Sequence, residues 1–168
     1  MRVFFSFAYT EDHHRAKIVM DNYLSHSGAT ATGFISDSEI DNMCAQGLEE
    51  VYRWIEQEVQ QASAVAVLIG TKTAGRHFVE YEIAQAQKRR KPIVGVYIDG
   101  LADQNGNRSP RGENPLFPVF PTYDYILDGG EKNLPSWLQQ SLLKHSNSYT
   151  KLGSIMTDIA QKSRAARK

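Results

Sequence analysis

The chain has 168 residues, and its 19 Lys and Arg balance its 19 Asp and Glu, so no overall field marks it for nucleic acid or a membrane surface. That length suits one domain over residues 1–168 with a proper core. A lone cysteine, Cys44, excludes an internal disulfide, and the longest apolar runs, such as Ala62 to Gly70, fall well short of the about 20 residues that cross a bilayer as a helix. The N-terminus reads directly into a strand rather than a leader, and a cytoplasmic, unanchored protein is expected.

Strand-like and helix-like segments alternate along the chain, the pattern of a parallel sheet covered by helices. Arg2 to Ala8 is nearly continuously apolar, as a strand buried on both faces should be. Thr10 can cap the next helix, Glu11 and Asp12 fall in its first turn, and Ala16, Val19, Met20, Tyr23 and Leu24 recur at helical spacing before Gly28. Ala31 to Ile35 is a short second strand, and Ser36 to Asn42, without a regular period, reads as a loop. From Gly47, the positions Leu48, Val51, Tyr52, Ile55 and Val59 mark an amphipathic helix leading to a third strand, Ala64 to Ile69. A helix from about Arg76 to Arg90 then leads across Pro92 to a fourth buried strand, Ile93 to Ile98. Gly100 to Pro121, rich in Gly, Pro and Asn, reads as a long loop. Tyr123 to Leu127 reads as a fifth, edge strand, and Leu134 to Lys144 and Tyr149 to Arg167 as helices, the last basic at its end. The expectation is an α/β fold: a doubly wound parallel sheet of about five strands with helices on both faces, plus C-terminal helices. Its core lies in 1–100, and a loop and helical extension fill 101–168.

The loops decide what such a skeleton does. A flavin or dinucleotide cradle needs a Ser/Thr/Gly or glycine-rich turn after the first strand, and Phe7-Ala8-Tyr9-Thr10-Glu11 is neither. A phosphate-accepting aspartate is missing from the end of the third strand, which reads Leu68-Ile69-Gly70. Ligands of open α/β sheets bind outside the carboxyl ends of the strands, so Phe7, Ala8 and Tyr9, with Gly70 and Thr71, border the expected cleft. Glu82 lies near the start of the following helix. Val79, Ile83 and Ala86 form that helix's core stripe, Phe78, Glu82 and Gln85 its border, and Glu80 falls about 200° around from Glu82, toward solvent.

The chain resembles the TIR family in its bacterial TIR-like branch, which is flavodoxin-like in fold. The resemblance rests on Val3-Phe4-Phe5-Ser6-Phe7, on Gly33-Phe34-Ile35-Ser36-Asp37 where the family has a variable loop, and on Val67-Leu68-Ile69-Gly70-Thr71 followed by Arg76-His77-Phe78-Val79-Glu80-Tyr81-Glu82-Ile83. It covers roughly residues 1–100. The last segment, with Lys91-Pro92-Ile93-Val94-Gly95-Val96-Tyr97-Ile98 at the matching spacing, is most similar to the TIR-like proteins of Thoeris anti-phage defence.

The resemblance implies an enzyme that cleaves the nicotinamide–ribose bond of NAD, with Glu82 catalytic and Phe78 in place of the family's commoner tryptophan. It implies NAD as substrate rather than as a cofactor; no metal is expected, because no residues stand at ligand spacing. It also implies a product of either ADP-ribose, from attack by water, or a cyclic ADP-ribose isomer that activates a separate effector protein. The variable loop containing Asp37 is implied in substrate binding and in TIR–TIR self-association. The chemistry needs one carboxylate, because a fixed anion stabilises the oxocarbenium-like ribose and nicotinamide leaves without protonation.

Other polar residues have plainer readings. His13 and His14 point about 100° apart on a helix and have no ligand-spaced partner, so they read as a surface pair. Cys44 reads as an ordinary thiol. Lys162, Arg164, Arg167 and Lys168 suit a solvated helix end. The competing functional reading is a TIR-like interaction module without chemistry, which would tolerate loss of the Glu82 charge.

Overall fold

The computed structural model describes residues 1–28, 30–33 and 37–146. Five strands, β1 (Arg2–Ser6), β2 (Thr30–Thr32), β3 (Ala64–Ile69), β4 (Ile93–Tyr97) and β5 (Thr122–Asp124), form one sheet in the order β2-β1-β3-β4-β5. Every pairing is parallel, with Phe4 opposite Val65, Leu68 opposite Val96 and Val96 opposite Tyr123. This is the flavodoxin-like doubly wound order, with its reversal beside β1 and β3.

Side-chain alternation divides the core into two layers. Val3, Phe5 and Phe7 point toward α1 (Tyr9–Ser27) and join Ala16, Val19, Met20 and Tyr23, together with Leu134, Trp137 and Leu138 of a helix α5 over 130–146. Phe4 points the other way, into a layer built from Val51, Ile55 and Val59 of α3 (Leu48–Gln61) and Val79, Ile83 and Ala86 of α4 (His77–Lys88). β3 is buried at all six positions, because both of its faces carry helices.

Several expectations change in the structure. Of the residues expected as a loop from Ser36 to Asn42, Ser36 lies outside the described residues and those from Asp37 on instead enter a helix, α2 (Asp37–Gln46), which packs against α3. It has too few apolar residues to show a period, and tertiary packing, with Met43 against the α3–α4 layer, supplies what the sequence pattern lacks. Thr10 does not cap α1: the helix already begins at Tyr9, with Ala8 in the cap position and no side-chain cap bond. The fifth strand ends at Asp124, whose side chain accepts from the backbone N–H groups of Ile126 (3.0 Å) and Leu127 (2.9 Å) and turns the chain away from the sheet. α5 starts at 130, four residues before the expected Leu134. The helix expected from Tyr149 to Arg167 and the basic residues at its end lie outside the described residues.

The segment over 98–121 contains no helix or strand, as its composition implies. It is nonetheless pinned. Arg15, 5% exposed, donates from Nε to the Leu101 carbonyl at 2.9 Å and from Nη2 to the Asn107 carbonyl at 3.0 Å. Arg111 stacks over the Tyr97 ring at 4.3 Å and pairs with Asp99 and Asp124.

Candidate active site

A cavity of about 500 Å³ opens beyond the carboxyl end of β1, between the start of α1, the middle of α3 and the first turns of α4. That volume is in the range of small-molecule sites. The β1–α1 junction contributes Phe7, Ala8, Tyr9 and Thr10, α3 contributes Trp54, and α4 contributes Phe78 and Glu82, with Arg76 and His77 at its entry.

Glu82 reaches the cavity because of its phase on α4. Val79, Ile83 and Ala86 are buried against the sheet, so the border of that stripe faces the end of β1. Glu80 is exposed, on the opposite side. Glu82 is half-buried and lines the cavity, and its Oε2 accepts a 2.5 Å hydrogen bond from the Ser6 hydroxyl. Burial pushes its carboxyl up to about 8 from an ordinary 4.5, a rise that the Ser6 hydrogen bond opposes. A carboxylate held in such surroundings is a functional-site candidate on physical grounds.

The walls are aromatic and braced. Tyr9 stacks between Phe7 (5.9 Å) and His13 (5.6 Å), and Trp54 lies 6.2 Å from Phe4. Beside Phe78, Tyr52 lies 6.1 Å away and His77 5.5 Å. Tyr52 also packs 4.7 Å from Tyr81 and shares a 2.6 Å hydrogen bond with His77 Nε2. The Tyr81 hydroxyl donates to Glu56 at 2.6 Å, which raises the Tyr81 pKa and lowers that of Glu56. Arg76 pairs with Glu11, so the cation at the cavity edge is already matched by an anion. Gly33, at φ 92°, passes so close to the β1 backbone that a Cβ would overlap the Phe5 carbonyl oxygen.

Of the residues expected at the cleft, Phe7, Ala8, Tyr9, Phe78 and Glu82 come together. Gly70 and Thr71 do not line this cavity. A Cβ on Gly70 would run into the Asp12 carboxylate, and the Thr71 hydroxyl donates to the Pro110 carbonyl at 2.6 Å, so the chain itself fills the space beyond β3. Asp37 opens α2, and its side chain lies outside the described residues, as do residues 34–36. Sequence reasoning missed Ser6, Trp54, Arg76 and His77. Ser6 had a signal, being the one hydroxyl within a run of Val and Phe. Trp54 had little, since its approach depends on how α3 crosses β1.

Among the described residues no cluster of three or more His, Cys, Asp and Glu could hold a metal ion, and Cys44 is exposed. No helix among them is long and apolar enough to cross a membrane.

A family described as Thoeris protein ThsB, TIR-like domain, matches residues 4–103, which run from within β1 past β4 and include every described residue that lines the cavity. The chain belongs to this family. A relative from Bacillus cereus (strain MSX-D12), provisionally named cyclic ADP-D-ribose synthase ThsB1, is 29% identical over 137 residues, covering 81% of this chain and 70% of the relative. Two solved structures are more distantly similar. The Clostridium botulinum CMP N-glycosidase BcmB has a TM-score of 0.40 at 13% identity, over 58% of this chain and 69% of that one. A diflavin flavoprotein A3 from Nostoc sp. has a TM-score of 0.44 at 11% identity, over 86% of this chain and 96% of that one.

Proposed function

We propose that this Thoeris ThsB-family chain cleaves the nicotinamide–ribose bond of NAD and closes the product into a cyclic ADP-ribose isomer, which signals to a separate effector protein in anti-phage defence. The observation that carries this reading is Glu82: among the described residues, the one carboxylate lining an aromatic-walled cavity of about 500 Å³, in a family with a relative named for cyclic ADP-ribose synthesis.

In the reaction, the bond between ribose C1′ and the nicotinamide nitrogen breaks. Its electron pair goes to the nitrogen, and the positive charge of the pyridinium ring moves to C1′. Ionised Glu82 favours the later arrangement, since the charge it meets there is concentrated and close, and the poorly hydrated cavity strengthens the attraction. The acceptor then bonds C1′ and loses a proton. A carboxylate whose pKa has been raised is a better base for that proton than an ordinary one. The apolar walls formed by Phe7, Tyr9, Trp54 and Phe78 disfavour water as acceptor and offer flat surfaces for a nicotinamide or adenine ring, which supports cyclisation over hydrolysis. Self-association through TIR–TIR contacts, with Asp37 and the segment before it in the contact region, belongs to the same proposal.

The test is mass spectrometry of small molecules from cells expressing the chain or its Glu82→Gln variant, with and without phage challenge. A Glu82-dependent ion at the mass of cyclic ADP-ribose is expected. ADP-ribose and nicotinamide alone would reduce the activity to NAD hydrolysis, and no Glu82-dependent change would sink the enzymatic reading in favour of an interaction module.

A further inference from the structure

β1 carries an anomaly. Val3, Phe4, Phe5 and Phe7 are buried apolar residues, and between them Ser6, also fully buried, places a hydroxyl in the layer that Phe4 enters two residues earlier. A buried hydroxyl without a partner is destabilising, because its hydration is lost and nothing replaces it. The partner here is Glu82, 76 residues away in the chain, on the helix that covers this face.

The pairing fixes one end of the carboxylate and leaves the other open. Oε2 accepts from Ser6, while Oε1 has no hydrogen-bond partner among the described residues and is not sealed from solvent. A glutamate side chain has three rotatable bonds, and nothing else here tethers its head. Ser6, in contrast, sits on a strand paired with β2 as far as Phe4 and with β3 as far as Ser6 itself, its backbone in register with Val67 of β3. A rigid donor holding one oxygen turns a mobile carboxylate into a fixed one.

Resting on the proposed function, we propose that Ser6 is a positioning residue for Glu82: its hydroxyl holds Oε2 against β1 so that Oε1 faces the ribose C1′ as charge develops there. A hydroxyl donor serves this role better than an ammonium or guanidinium group, because it orients the carboxylate without neutralising the charge that the reaction uses. It also favours the ionised form of a group that burial drives toward the neutral one.

The experiment is steady-state NAD cleavage across pH by the full chain, its Ser6→Ala variant and its Ser6→Thr variant, together with a carbon-13 NMR titration of the Glu82 carboxyl. Ser6→Ala is expected to lower kcat roughly tenfold to a hundredfold, the range of a hydrogen bond to a charged group, with KM changed by less than about threefold. The acidic limb of its kcat/KM profile should move to higher pH, because loss of the donor removes what opposes the raised pKa. Ser6→Thr, which keeps the hydroxyl, should recover most of the activity and return the limb to its parental position. A fall in activity without displacement of the limb would mean that Ser6 serves packing alone, and overturns the proposal. The titration needs no turnover: if Ser6→Ala leaves the Glu82 pKa where it was, the proposal is overturned whatever the enzyme does. A raised Glu82 pKa in a protein that leaves NAD intact would instead overturn the assigned substrate while upholding the Ser6–Glu82 coupling.

Discussion

Two neighbouring strand ends of one sheet meet opposite fates. Beyond β1 the chain leaves a cavity, with Glu82 on one wall and aromatic rings on the others. Beyond β3, one strand over, the chain fills its own crevice. The Asp12 carboxylate lies over Gly70, Gly112 packs on the Gly70 carbonyl, and Thr73, fully buried, accepts from the Gly70 N–H at 2.8 Å and donates to the Leu68 carbonyl at 3.3 Å. Asp12 and Arg15 form a buried pair at 3.1 Å within that plug. The topological rule that ligands bind at carboxyl ends therefore selects an edge of the sheet, and the loops select which part of it is available.

The sharpest way to break this contrast is at the open end. Glu82→Gln should reduce nicotinamide release from NAD at least about a hundredfold, the scale of losing a preorganised electrostatic partner. It should also make the fold more stable. Glu82 keeps its proton to higher pH when folded than when unfolded, so the parent loses stability as pH rises from 4.5 toward about 8. By pH 7 that loss amounts to about 3 kcal/mol at most, and chemical denaturation of parent and variant from pH 4 to 9 should show it disappear in the glutamine form. At the closed end the expectation reverses. Gly112→Ala would press a Cβ into the Gly70 carbonyl, lowering stability by about 2 kcal/mol while leaving NAD turnover in the folded fraction within about twofold of the parent. Activity strongly lost without loss of stability would show that the plug belongs to the site. Trp54→Ala, which strips one wall of the cavity, should raise KM for NAD by roughly tenfold and spare kcat more. The smallest effect belongs to Glu80→Gln, on the exposed side of α4, with stability changed by less than about 0.5 kcal/mol and turnover unaltered.

The same contrast explains what the sequence made legible. Continuous apolar runs located β1, β3 and β4, because strands buried on both faces leave little room for polar residues. The helical period of Val79, Ile83 and Ala86 placed Glu82 on a border and Glu80 outside it, and the cavity lies along that border. Gly70 and Thr71 were legible as the end of a strand, but their blockage depends on Asp12, Pro110 and Gly112, which lie about 40 to 60 positions away in sequence. No local pattern encodes such a meeting. α2 was hidden for a related reason, since its support comes from α3 rather than from its own amphipathic stripe. Ser6 was visible as a polar interruption of β1, yet its partner could be found only once α4 had been laid across the strand.

The raised pKa of Glu82 has a consequence for how substrate arrives. At neutral pH a carboxyl with a pKa of about 8 is protonated in most molecules, so the empty cavity carries no net charge at its centre. The proposed substrate, NAD, would bring a positively charged nicotinamide ring, and a cation beside the carboxyl lowers its pKa and displaces the proton to solvent. Uptake is then an ion exchange, in which the proton holds the place that the pyridinium takes over. Calorimetric binding of a non-cleavable NAD analogue that keeps the pyridinium charge to the parent protein, in two buffers of different ionisation enthalpy at pH 7, would count that proton directly: the heats should differ in proportion to the buffer, and equal heats would mean that Glu82 is already ionised before the ligand enters.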